Sequence, residues 1–143
     1  RARRPRTGVP VRVEHWDNAI RQGHHAARTL LAGPERSTPF DAVPWMWTDQ
    51  FGSRIQVLGS TTGHDEVRVV AGATDGPRFV CLYRRGDRAA AAVTVNSAKG
   101  MLRCRPLLDR GASWAEALAA FAAAPGPRRP TTAQPTGDGR HHP

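Results

Sequence analysis

The chain has 143 residues, about one domain's worth, of which 39% are hydrophobic, and its 14 glycines and 12 prolines place much of it in turns and loops. This length excludes a complete two-domain enzyme. No apolar run approaches the roughly 18 residues of a membrane-spanning helix, and no apolar stretch follows the charged N-terminus as in a secretory signal. Two cysteines are too few for a disulfide framework or a structural zinc site. We therefore expect a cytoplasmic protein with one small core and no membrane partner.

The net charge of +9 suggests a nucleic-acid partner, because phosphate binding requires clustered lysines and arginines. However, four arginines lie within residues 1–6, and residues 125–143 carry a net +2. Residues 7–124 therefore carry only +3, and their basic residues are spread out without interleaved aromatic residues. The pattern predicts solvated ends and no nucleic-acid partner.

The first part of the chain predicts one helix. Residues 1–10 are basic and irregular in pattern, and Val11 and Val13 alternate with polar residues as in a short extended segment. From Asp17 the period becomes helical, and Gly33-Pro34 is a stop signal, so we predict a helix over residues 17–32. This helix has a face of small residues suited to close packing: Ala19, Gly23, Ala26 and Ala27. No partner for it precedes it in the chain, which indicates that its packing surface lies upstream.

The middle of the chain predicts an antiparallel sheet. Residues 34–44 contain three prolines and read as a linker. Four strand-like segments separated by turn sequences then follow, at residues 54–59, 66–71, 78–83 and 89–95. Parallel strands would need longer crossover connections.

After the strands the pattern becomes helical again. Met101 and Leu108 are placed to face a core, although Pro106 should end or kink that helix. Ser113 and Glu116 form a capping box for a further helix. Residues 125–143 have little to bury and should be disordered. The predicted fold class is α+β, with a small antiparallel sheet of three to four strands, one or two C-terminal helices and a lone helix before them.

No complete active site is visible in the sequence. It has neither a GxGxxG motif nor a P-loop. His24 and His25 point about 100° apart on a helix, which favours a solvated helix face over a metal site. Cys81 falls on an alternating strand and is predicted to lie in the core. We predict no metal site and no catalytic residue in this chain.

Two clusters of aromatic and polar residues stand out. Glu14-His15-Trp16 directly precedes the first helix, where the tryptophan would pack on the core. Residues 44–50 read PWMWTDQ, with two tryptophans beside an Asp and a Gln. These tryptophans either anchor the linker or form an aromatic wall suited to stacking against a flat ring.

Three segments together resemble the C-terminal end of FAD-dependent ferredoxin reductases: VRVEHWDNAIRQGHHAARTLLAG, PWMWTDQFGSRIQVLG and VTVN. These are the NAD(P)H-using flavoproteins of the rubredoxin and putidaredoxin reductase type and of aromatic-ring dioxygenases. The order and joint occurrence of the three segments make the resemblance specific. It implies that residues 11–38 are the last strand–helix segment of a FAD-binding domain plus a linker. Residues 39–124 would be the reductase C-terminal α+β domain, followed by the disordered tail at 125–143.

The resemblance also implies FAD-binding roles for His15, Trp16, Trp47 and Gln50. The residue matching Trp16 lies at the flavin through its backbone, at a helix N-terminus, and His15 is nearby. The residue matching Trp47 lies over the flavin–nicotinamide region, and Gln50 belongs to the same motif.

The function implied is that of a fragment. The complete enzyme would pass electrons from NAD(P)H through FAD to a ferredoxin-type iron–sulfur protein. The GxGxxG motif, the NAD(P)H domain and the GD motif of the family are missing, and residue 1 is Arg. We therefore expect this chain alone to bind FAD weakly or not at all and to be inactive. The alternative is a stand-alone interaction module, or a remnant, that binds a redox partner without catalysis.

Overall fold

The computed structural model describes residues 12–122 of the chain. They form helix α1 (Trp16–Ala32), a 3₁₀ turn (Pro34–Arg36), strands β1 (Trp45–Gln50), β2 (Ser53–Gly59), β3 (Glu66–Gly72), β4 (Phe79–Arg85) and β5 (Arg88–Val95), and helices α2 (Ala98–Asp109) and α3 (Trp114–Ala122). The predictions for residues 1–10 and 125–143 lie outside the described residues. Of the predicted extended segment, residues 12–15 have no regular secondary structure and Val11 is not described.

The five strands form one antiparallel sheet in the order β1-β2-β5-β4-β3. The predicted α+β class is therefore confirmed, with one strand more than the predicted three to four. The additional strand is β1, because the tryptophan-rich segment pairs with β2 from Trp45 opposite Leu58 to Gln50 opposite Ser53. Phe51 and Gly52 connect the two strands, both with positive φ, as in a type I′ hairpin turn.

The core lies on one face of the sheet. Leu58, Val80, Leu82 and Ala92 point to this face and are buried against α2 and α3. The two helices contribute their own buried residues to the same core: Met101, Cys104, Leu107, Leu108, Ala117 and Phe121. Strands that cover a core on one side bury alternate residues, as β2 does at Gln56 and Leu58.

The opposite face of the sheet, which we call the open face, is also apolar. Its central row runs across all five strands as Met46, Val57, Val93, Cys81 and Val69. Because α2 and α3 lie on the other side, they leave this row uncovered, and Val69 is 41% exposed at the edge of the sheet. Cys81 is buried, as predicted, but among the side chains of this face rather than in the helix-covered core.

The C-terminal helices agree with their sequence signals except at Pro106. The helix does not end at the proline and continues to Asp109. Pro106 has no N–H to donate to the Leu102 carbonyl. Both residues lie on the exposed side of α2, where water can donate to that carbonyl instead. The capping box is confirmed: the Ser113 N–H donates to Glu116 Oε2 at 2.8 Å, and the Glu116 N–H donates to Ser113 Oγ at 3.2 Å.

Helix α1 matches the predicted span but buries almost nothing. Asn18 is its one buried residue among those described, while Leu30 and Leu31 are 83% and 90% exposed. The predicted small-residue face is exposed as well. His25, predicted on a solvated face, is instead half-buried: its ring packs on Phe40 and its Nε2 lies 2.8 Å from the Thr38 carbonyl oxygen. Within residues 12–122, no helix is both long and apolar enough to cross a membrane.

Candidate functional site

Three tryptophans from two elements form one cluster, which we call the tryptophan cluster. Trp47 lies edge-on to Trp16, with ring centroids 6.1 Å apart and planes at 90°. Trp45 stacks at a tilt on Trp47, with centroids 4.8 Å apart. Trp16 is 70% exposed and Trp47 is 38% exposed. The cluster therefore presents aromatic surface to its surroundings instead of burying all of it.

The secondary structure explains how the cluster assembles. Trp45 and Trp47 are two residues apart on β1, so their side chains leave the strand on the same side. Trp16 is the first residue of α1, and α1 packs against β1. The contact therefore joins the start of the helix to an edge strand 31 positions later in the chain.

The N-terminus of α1 lies beside the cluster. His15 occupies the N-cap position in an extended conformation, and its side chain does not cap the helix. The first hydrogen bond of the helix runs from the Ala19 N–H to the His15 carbonyl at 3.2 Å. The N–H groups of Trp16 and Asp17 come before it and have no acceptor within the helix, so they point outward at the positive end of the helix dipole.

Two buried polar atoms near the cluster have no hydrogen-bond partner within the described part of the chain. They are Nδ1 of His15 and Nε1 of Trp45. Buried polar groups are normally satisfied, so each of these two atoms is available to water or to a bound group. The Arg105 guanidinium also lies 5.6 Å from the Trp45 ring centroid.

From the sequence, Trp45 and Trp47 together either anchor the linker or form an aromatic wall, while a FAD-binding role was assigned to Trp47 and not to Trp45. The i, i+2 spacing of the two tryptophans on a strand is the signal that places both indoles on one side.

The structure does not bring Gln50 to the tryptophan cluster. Gln50 is three residues from Trp47 on β1, so the two side chains leave opposite sides of the strand. Its amide lies on the exposed surface and donates to Thr48 Oγ1 at 3.3 Å. Asp49, which does share the side of Trp47, forms a bidentate ion pair with Arg54 at 2.8 Å. This pairing lowers the pKa of Asp49. A flavin role for Gln50 stays a prediction.

Asn96, the last residue of the VTVN motif, holds three segments together. Its Oδ1 accepts from the Arg54 N–H at 2.8 Å. Its Nδ2 donates to the Pro77 carbonyl at 2.8 Å and to Ser53 Oγ at 3.3 Å. The backbone has a left-handed φ of 49°, which Asn tolerates better than most residues. Asn96 therefore joins the start of β2 to the β3–β4 turn, away from the tryptophan cluster.

Comparison with known proteins agrees with these features. A family model described as Reductase C-terminal matches residues 45–125. The chain is 36% identical over 104 residues to a 5,5'-dehydrodivanillate O-demethylase ferredoxin reductase subunit of Sphingobium sp., covering 73% of this chain and 24% of that protein. It is 35% identical over 86 residues to a putidaredoxin reductase of Pseudomonas putida, covering 60% of this chain and 19% of that protein.

A solved structure also matches the fold. It is the covalent complex of putidaredoxin reductase with putidaredoxin, with a TM-score of 0.63 and 28% sequence identity. The match covers 80% of this chain and 29% of that one. The chain thus spans less than a third of the length of each of these three proteins.

Proposed function

The chain belongs to the reductase C-terminal family, and on that premise we propose that it is the C-terminal part of a flavoprotein oxidoreductase. The complete enzyme passes electrons from NAD(P)H through FAD to a ferredoxin-type iron–sulfur protein in the cytoplasm. The observation that carries the proposal is the exposed tryptophan cluster beside the uncapped N-terminus of α1. The nucleotide-binding parts of such an enzyme would come from outside this chain.

The residues at the cluster fit a flavin. A flavin ring has a flat aromatic face, which suits the exposed indoles of Trp16 and Trp47. It also has an electron-rich polar edge, which suits outward N–H groups at a helix N-terminus. The unpartnered Nδ1 of His15 is a further polar group that a bound ring edge could satisfy. When bound, FAD supplies the redox centre that accepts a hydride and releases single electrons.

In this arrangement each residue at the tryptophan cluster has a defined role. Trp47 would cover the flat face of the ring and exclude water from it, and Trp45 would hold the Trp47 indole in place by stacking. Trp16 contributes its backbone N–H, and His15 sits beside it at the N-cap. Gln50 is proposed for the site on the family resemblance alone, because its side chain lies on the other side of β1.

We also propose that α1 belongs to the FAD-binding domain and that the sheet with α2 and α3 is the separate C-terminal domain. The exposure of the small-residue face, of Leu30 and of Leu31 supports this division, because an amphipathic helix normally buries its apolar stripe. Upstream polypeptide would cover that stripe. Residues 11–38 would belong to the FAD-binding domain with its linker, and residues 39–124 would form the C-terminal domain.

The first experiment tests whether the parent is a reductase. The reading frame upstream of Arg1 should encode the GxGxxG and GD motifs of the nucleotide-binding domains. A stop codon just upstream, with no such motifs, would instead favour the stand-alone interaction module. Titration of the purified chain with FAD should show weak binding or none, and tight binding would contradict the proposed division of domains.

The second experiment tests the role of Trp47 in the full-length parent. Trp47→Ala should slow flavin reduction by NAD(P)H in stopped-flow measurements while leaving the unfolding midpoint close to that of the parent. Trp114→Ala is the matched control, because Trp114 packs against the hydrophobic core. That variant should lower stability and leave the reduction rate of the folded protein unchanged. Equal catalytic loss with equal stability in the two variants would reject the role of Trp47.

A further inference from the structure

A cavity of about 390 Å³ lies at the edge of the core, away from the tryptophan cluster. Its walls come from four places: residues 41–44 before β1, the end of β2, the β4–β5 hairpin and the end of α2. Pockets that bind small molecules start at about 300 Å³ and are lined mainly by apolar groups with a few polar ones. None of the three tryptophans of the cluster lines it.

The inner lining of the cavity is apolar. Val43, Ala89 and Leu108 are among its lining residues, and each is buried in the hydrophobic core. A ligand that fills the cavity would therefore contact hydrocarbon over much of its surface. Such contacts favour an apolar body and give nothing to a bare inorganic ion.

Three arginines from three segments also line the cavity: Arg85 at the end of β4, Arg88 at the start of β5 and Arg110 after α2. Among the described lining residues, Asp41 supplies the one carboxylate against these three guanidinium groups. Positive charge therefore exceeds negative charge at this site.

The arginines keep donors available for a ligand. Arg88 Nη1 donates to the Gly111 carbonyl at 2.6 Å, and Arg85 donates to the carbonyls of Thr62 and Gly63. These acceptors are neutral. The ion pairs of Arg88 and Arg110 to acidic side chains are long, at 3.9 and 3.8 Å, and solvent-exposed. Such pairs contribute little, and each guanidinium has five N–H groups.

Backbone hydrogen bonds fix the walls to one another. The Gly59 N–H donates to the Pro44 carbonyl at 2.8 Å, and the Ser60 N–H donates to the Ala90 carbonyl at 3.3 Å. Gly59 has a φ of 85°, and a Cβ there would lie 2.2 Å from the Ala90 oxygen, so only glycine permits this approach. The cavity is held open by the fold, which reduces the ordering that a ligand must impose.

We propose that this cavity binds a small organic carboxylate with an apolar body. The carboxylate accepts hydrogen bonds from Arg88 and Arg110, whose planar donor groups match carboxylate geometry. The apolar body lies against Val43, Ala89 and Leu108. This site is independent of the proposed redox function, because it requires neither a flavin nor a second protein.

Titration of the ¹⁵N-labelled full chain with benzoate, followed by NMR, tests the proposal. Benzoate should cause saturable shifts at the amides of residues 41–43, 59–60, 88–90 and 108–111, with a dissociation constant of about 1 mM for a ligand of this size. Acetate lacks the apolar body and benzyl alcohol lacks the charge, so each should bind at least tenfold more weakly. Equal binding by either compound, or stronger binding of inorganic phosphate, would overturn the proposal.

Variants then test the arginines. Arg88→Gln and Arg110→Gln should each weaken benzoate binding at least fivefold. Arg78→Gln is the matched control, since Arg78 is exposed in the β3–β4 turn and does not line the cavity. The amide spectrum of each variant reports whether it is folded. Unchanged affinity in both folded cavity variants, or an equal loss in the Arg78 variant, would refute the assignment.

Discussion

Replacement of Asn96 by alanine should lower the free energy of unfolding by about 2–3 kcal/mol. The side chain forms two hydrogen bonds of 2.8 Å, to the Arg54 N–H and the Pro77 carbonyl. Each such bond contributes roughly 0.5–1.5 kcal/mol, with exposed ones at the lower end. The left-handed backbone, with a φ of 49°, adds roughly 1 kcal/mol because alanine tolerates it less well than asparagine.

Asn96→Gly separates the two contributions. Glycine loses the same side-chain hydrogen bonds but adopts positive φ without strain. The glycine variant should therefore be more stable than the alanine variant by roughly 1 kcal/mol, while remaining less stable than the parent chain.

Urea denaturation, monitored by tryptophan fluorescence, measures both differences. With a denaturant slope of about 2 kcal/mol/M, the alanine variant should unfold at a midpoint about 1 M lower than the parent. A loss below about 0.5 kcal/mol would show that these bonds contribute less than ordinary hydrogen bonds do. A glycine variant no more stable than the alanine variant would refute the role of the left-handed backbone.

Four further predictions follow from single positions. Gly100→Ala should destabilise α2 by about 1–2 kcal/mol despite the better helix propensity of alanine, because its Cβ would lie 2.4 Å from Val80 Cγ2. In urea denaturation the same substitution should cost less stability in a Val80→Ala background than in the parent chain, although Val80→Ala is itself destabilising. A Gly100→Ala single variant that is more stable than the parent would contradict this. Phe51→Asn should stabilise the chain by roughly 0.5–1 kcal/mol and so raise the urea midpoint, because Phe51 is fully exposed in a turn that favours Asn-Gly. A lower midpoint would show that the Phe51 ring stabilises the fold. Burial raises the pKa of Cys104 to about 12, so native protein should leave this thiol unmodified by iodoacetamide at about pH 8, and mass spectrometry would reveal any modification. The pKa of Glu116 is lowered by the hydrogen bonds at the N-terminus of α3, first by that from the backbone N–H of Ser113. The stabilisation from Glu116 is therefore complete above the unfolded carboxyl pKa and is lost as the pH falls through the folded pKa. Glu116→Gln should make the urea midpoint depend less on pH below about pH 4.5, and an equal pH dependence in the variant and the parent would refute this.

Local patterns in the sequence were sufficient to predict most helices and strands. They failed to predict a strand where both of its faces are apolar. Helix α1 and the capping box depend on residues within a few positions of one another, so their signals are visible in sequence. Strand β1 was missed because Trp45, Met46 and Trp47 do not alternate in polarity. Met46 points to the open face, which is itself apolar, so the usual period of two is hidden.

Pro106 does not end α2, although a proline inside a helix removes one backbone hydrogen bond. Its missing donor affects one carbonyl on the solvent side of α2, while the following Leu107 and Leu108 are buried in the core. Burial of those two side chains outweighs a loss that water partly compensates.

The sites depend on contacts between distant segments. The contact of Trp16 with Trp47 requires α1 to pack on β1, and no local period encodes that packing. The arginine-lined cavity likewise draws on four separate places between residues 41 and 111. The family resemblance pointed to Trp16 and Trp47, but it did not point to Trp45 or to the cavity.

The one-sided core also has a consequence for how the chain tolerates mutation. Along β2, Gln56 and Leu58 are buried on the side of the helices, while Ile55 and Val57 belong to the open face and are less buried. A saturation mutagenesis scan of this chain alone should therefore show sensitivity that alternates with a period of two. If other polypeptide covers the open face in a longer parent protein, the same scan there would lose its alternation, so mutational tolerance by itself would report which surface of the sheet is covered.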